Sequence, residues 1–73
     1  MAKSNIIHTF VRHDVSHEYK LIIYENKRGV RGTLFNYMGK KVESVYFGIT
    51  DIEGGVDNIR IHFGFNDCNS YQI

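Results

Sequence analysis

The sequence predicts an all-β fold: a five-stranded antiparallel meander, built as a strongly curled sheet or a small barrel. Apolar residues alternate with polar ones over most of the chain, and no stretch of helical period stands out. Short, turn-forming connections separate the alternating runs. The registers set by those connections agree with one another, because together they bring one apolar set onto one face.

The elements follow in order. A first strand covers residues 6–12, and residues 13–17 turn the chain. Residues 19–25 and 30–38 alternate as the second and third strands, joined by Asn26-Lys27-Arg28-Gly29. Gly39-Lys40 leads to a fourth strand, residues 43–49, with Val45, Phe47 and Ile49 on one side. Gly54-Gly55, within residues 51–57, reads as a hairpin loop. The clearest strand is the fifth, residues 58–65, where Ile59, Ile61 and Phe63 alternate with Arg60, His62 and Gly64.

A turn centred on Lys27-Arg28 sets Leu21 opposite Leu34 and Ile23 opposite Gly32. A two-residue turn at Gly39-Lys40 sets Leu34 opposite Val45 and Gly32 opposite Phe47, and a centre at Gly54 sets Phe47 opposite Ile61. The expected core is Tyr19, Leu21, Ile23, Val30, Leu34, Val45, Phe47, Ile49, Ile59, Ile61 and Phe63. Gly32 would leave room for Phe47.

At 73 residues the chain makes one small domain, residues 1–73. Such a chain buries only about 60% of the surface it exposes when unfolded, so the core is thin. Cys68 is the single cysteine, which excludes an internal disulfide and a four-cysteine zinc site. No run approaches the roughly 20 apolar residues of a membrane span. Ile6-Ile7 is too short for the apolar part of a signal peptide, so the expected placement is cytoplasmic, with no membrane partner.

Charge is unevenly spread. Residues 1–41 hold eight bases against three acids, a net +5, whereas residues 42–73 hold Arg60 against five acids, a net −4. A basic region of this kind suits an anionic partner or a complementary end of another copy.

The same register sends Lys20, Ile22, Tyr24, Arg31, Thr33, Phe35, Tyr37, Val42, Ser44, Tyr46, Arg60 and His62 to the second face. A face so rich in rings and cations, with no acid at its centre, is either covered or used. Cross-strand pairs such as Tyr24 with Arg31 are placed to stack guanidinium on ring. Three occupants fit: the N-terminal strand folded over it, a protein partner anchored on Tyr and Arg, or a single-stranded nucleic acid or nucleotide. The expected binding residues are Lys20, Tyr24, Arg31, Phe35, Tyr37, Tyr46, Arg60 and His62. A thin core and the unblunted end strand, residues 58–66, also lead to an expected homo-oligomer, most simply a dimer.

Catalytic chemistry finds little support. Ser4, Ser16, Ser44 and Ser70 lack a strand–turn–helix elbow, and the acids Glu43, Asp51, Glu53 and Asp57 fall at turns and strand ends. Gly54-Gly55 is too short and too acidic in context to cradle a phosphate. His13 and His17 stand four apart with His8 nearby, but nothing in the spacing selects Asp14, Glu18, His62 or Cys68 to complete a metal site. No cofactor, no metal and no enzymatic activity are expected.

The stretch Gly29-Val30-Arg31-Gly32-Thr33-Leu34-Phe35-Asn36-Tyr37, preceded by the strand over residues 21–25, resembles the second-to-third-strand region of Sm-like small barrels. That resemblance implies a closed barrel of short bent strands and RNA binding in a ring. The residues themselves lead first to a non-catalytic binding protein of the inhibitor or adaptor type, a build that bacteriophages also encode. It would dock on a macromolecular partner, a protein in the first place, through the aromatic and basic face.

Overall fold

Among the described residues, five antiparallel strands form one open sheet and one helix packs on one side of it. The computed structural model describes residues 5–13, 17–48, 51–66 and 70–73. The elements are β1 (Asn5–His13), β2 (Glu18–Asn26), β3 (Gly29–Phe35), β4 (Lys41–Phe47), α1 (Ile52–Phe63) and β5 (Ser70–Gln72). In the sheet they stand in the order β4-β3-β2-β1-β5. The first four make the expected meander, and the chain then crosses through α1 so that β5 pairs with β1. β4 and β5 lie at opposite edges, so the sheet does not close into a barrel.

The β2–β3 register is the expected one, with Leu21 opposite Leu34, Ile23 opposite Gly32 and Tyr24 opposite Arg31. The β3–β4 register differs by two residues: Gly32 faces Val45 and Val30 faces Phe47. The reason lies in the turn, which spans residues 36–40. Asn36 Oδ1 accepts the backbone N–H groups of Met38 (2.9 Å) and Lys40 (3.0 Å), and Asn36 N–H donates to the Lys40 carbonyl. A shift of two keeps each side chain on its expected face. A bulge follows, since Leu34 faces Glu43 while Phe35 faces Lys41, leaving Val42 as the extra residue.

The predicted fifth strand is a helix. Asp51 caps α1, its carboxylate accepting the Gly54 N–H at 3.1 Å. Glu53 in the first turn and Arg60 and His62 in the last oppose the helix dipole favourably. Gly64 ends it in the left-handed region (φ 75°), and the Phe65 N–H returns to the Arg60 carbonyl at 2.7 Å. Ile52, Val56, Ile59 and Phe63 lie at i, i+4, i+7 and i+11, and that stripe meets the sheet. The alternation of Ile59, Ile61 and Phe63 misleads because it is shorter than this stripe. Ile61 is 60% exposed rather than in the core.

Phe10, Leu21, Ile23, Val30, Val56, Ile59 and Phe65 form the buried core between sheet and helix. Tyr19, Leu34, Val45, Phe47 and Phe63 pack against it half-buried. Each fully buried aliphatic side chain contributes about 1.5–3 kcal/mol, which is how so few elements hold together. Ile49 of the expected core lies outside the described residues. The space at Gly32 is taken by Ile59 of the helix, not by Phe47.

Candidate functional site

Alternation along each strand sends every second side chain to the sheet face away from α1. Register then aligns these side chains in rows. Ile6, Tyr24, Arg31 and Tyr46 stand opposite one another from β1 through β4. Tyr71, Val11, Lys20, Phe35 and Lys41 form a second row that runs from β5 to β4. Thr9, Ile22, Thr33 and Ser44 lie between them.

Among the described residues no element lies across this face. β1 stands beside β2 in the sheet, so the N-terminal strand, one of the three occupants considered, does not fold over this face. Long side chains close over the centre instead: Val11 is 3% exposed and Thr33 7%. At the β4 edge Tyr46 remains 45% exposed.

Two clefts of about 280 Å³ flank Phe35. One lies between Phe35 and Tyr24, with Arg31 and Lys41 as its charged groups and Thr33 in its lining. The other runs from Lys20 and Ile22 to Tyr37, with Glu18 at its rim. The face as a whole carries Lys20, Arg31 and Lys41 against Glu18. Glu25 and Glu43 point to the other side of the sheet by the same alternation, and Glu53 and Asp57 belong to α1. Arg12 and Arg60 also lie on the helix side, so the two layers differ in net charge, acidic with the helix and basic on the open face, which the division at residue 41 showed only in part.

Comparison with protein-family models, curated proteins and solved structures found no match to this chain. The barrel implied by the Sm-like stretch is not formed either, because the sheet is open.

Five of the expected binding residues come together: Lys20, Tyr24, Arg31, Phe35 and Tyr46. Tyr37 sits in the β3–β4 turn, 59% exposed, with its ring 4.3 Å from that of His17. Arg60 and His62 do not join them, because their strand is a helix on the opposite side. Arg60 lies 4.6 Å from the centre of the Phe10 ring and donates Nε–H to the Phe65 carbonyl at 3.0 Å, a role in holding the helix end. His62 Nε2 lies 3.0 Å from Glu43 Oε2, an exposed tie between α1 and β4. Lys41 and Tyr71 were missed. Lys41 was hidden by the bulge at Val42, which together with the longer turn brings it opposite Phe35, and Tyr71 lies in a three-residue strand with no alternation to betray it.

The histidines are dispersed. His13 Nε2 is 3.2 Å from the Tyr71 hydroxyl and 3.4 Å from Glu18, and His8 Nδ1 is 2.8 Å from the Gln72 amide nitrogen. Among the described residues no group of three or more His, Cys, Asp or Glu side chains converges to hold a metal. Asp14 and Cys68, two of the ligands considered, lie outside the described residues, as do Ser4 and Ser16. No helix among the described residues is long and apolar enough to cross a membrane.

Proposed function

We propose that this protein is a non-catalytic binding module whose open sheet face docks on an extended, negatively charged macromolecule. One observation carries the reading. The face opposite the helix is uncovered among the described residues, yet it holds Tyr24, Phe35, Tyr46 and Tyr71 beside Lys20, Arg31 and Lys41. Tyr46 and Tyr71 are exposed and Tyr24 and Phe35 half-buried, and aromatic surface left open to water costs hydration free energy unless something meets it. Cations spaced among them set the sign of what does.

A second copy is a poor occupant for the face itself, since face-to-face packing brings like charges together. Pairing through the predicted end strand has no strand to act through, because residues 58–63 are helical. The free edges are those of β4 and β5.

The test is retention on immobilised heparin, a polyanion without bases or a protein fold. The parent chain is retained, and Arg31→Glu or Lys41→Glu elutes at clearly lower salt. Lys27→Glu, the same charge change on the β2–β3 turn, has a smaller effect. No retention, or equal losses from all three substitutions, overturns the reading.

A further inference from the structure

We infer that the macromolecule is a single-stranded nucleic acid, its phosphates held by Lys20, Arg31 and Lys41 and its bases stacked on Phe35 and the flanking tyrosines. This rests on the docking role proposed for the open face and names its partner.

The kind of cation argues first. Protein–protein interfaces favour Arg and are depleted in Lys. Here both residues directly opposite Phe35 are lysines, Lys20 on β2 and Lys41 on β4. Lysine serves well as a point charge against phosphate, where no bidentate geometry is demanded. The order of side chains argues next. Tyr24, Arg31 and Tyr46 stand on three adjacent strands about 4.8 Å apart, so a chain laid across the sheet meets ring, cation, ring.

Shape restricts the partner further. The cleft between Tyr24 and Phe35, about 280 Å³, falls just below the roughly 300–1,000 Å³ of sites that enclose a drug-sized ligand. It suits a single base, and its charged groups are both cationic. Duplex bases are stacked on each other and expose only their edges in the grooves, leaving the rings no base face to stack on. Unpaired bases present their faces, and aromatic side chains bind them with little regard to sequence.

The experiment is fluorescence anisotropy with labelled oligo(dT) and oligo(rU), against a duplex of equal length, over about 50–200 mM salt. Single strands bind more tightly than the duplex. The slope of log K on log salt is about −2, from three phosphates at roughly 0.7 each, and Arg31→Gln makes it shallower by about 0.7. Tyr46→Leu weakens binding by about fivefold or more, while Tyr46→Phe, which keeps the ring, does not. Tyr46 is exposed on an edge strand, so both variants retain the parent's thermal unfolding. Equal binding of single strand and duplex, or equal loss from both Tyr46 variants, overturns the inference while heparin retention leaves the docking reading standing. Failure to bind either oligonucleotides or heparin overturns both.

Discussion

The Cγ2 methyl of Ile59 occupies the space that a side chain on Gly32 would need: a β-carbon built there lies 2.2 Å from it. This contact seats α1 on β3, the strand next to the β4 edge. Gly32→Ala is therefore expected to cost about 1–3 kcal/mol by overpacking, measured by urea unfolding. Ile59→Leu removes the offending methyl, so the double variant should be more stable than the two single costs predict. Simple additivity would show that the helix is not seated on Gly32.

Arg60 and His62 separate stability from binding. Arg60→Gln loses the Phe10 ring contact and the Phe65 carbonyl bond, with an expected cost of about 1–2 kcal/mol. His62→Gln removes an exposed pair with Glu43 and should change stability by less than about 1 kcal/mol. Neither lies on the open face, so the folded variants should elute from heparin close to the parent. A loss as large as that of Arg31→Glu would return these two residues to the site.

Asn36 organises the turn that forms one wall of the Lys20 cleft. Its side-chain oxygen accepts two backbone N–H groups, so Asn36→Ala is expected to destabilise by about 1–2 kcal/mol. Asn36→Asp keeps an acceptor there and should recover most of that loss. Amide exchange at Met38 and Lys40 reports the change locally: it accelerates in the Ala variant and stays slow in the Asp variant.

The start of α1 depends on Asp51. Asp51→Ala should cost about 1 kcal/mol, and Asp51→Asn, which still caps, much less. Circular dichroism and urea titration of the pair measure it. Identical stabilities would mean that the cap contributes nothing.

What the sequence revealed follows from the range of its signals. The β2–β3 hairpin could be registered to the residue because strong alternation flanks one short turn, Lys27-Arg28. β1 was legible as an apolar, β-branched run but not in its register. α1 did not, because Ile59, Ile61 and Phe63 imitate a strand over five residues while the deciding stripe begins at Ile52. Asp51 and Gly64 are end signals that mark this helix, but the Gly54-Gly55 pair inside it imitates a turn. Tertiary contact resolved the conflict, since a helix buries Val56 and Ile59 together in the core, with Ile59 over Gly32, and leaves Ile61 in water. The open face survived because residues of β2 and β3 define most of it. Its outer members depended on a longer turn and on a strand of three residues, and neither leaves a periodic trace.

The difference in net charge between the two layers also bears on how encounters begin. If the open face takes a polyanion as proposed, one drifting near the net-acidic helix layer would be repelled, and one approaching the opposite side would be drawn in before any contact forms. Such a field would select orientation in advance, so the proposed capture is expected to be fastest in dilute salt. Added electrolyte shortens the reach of that guidance to about 8–10 Å near physiological strength, leaving contact itself to decide which encounters last.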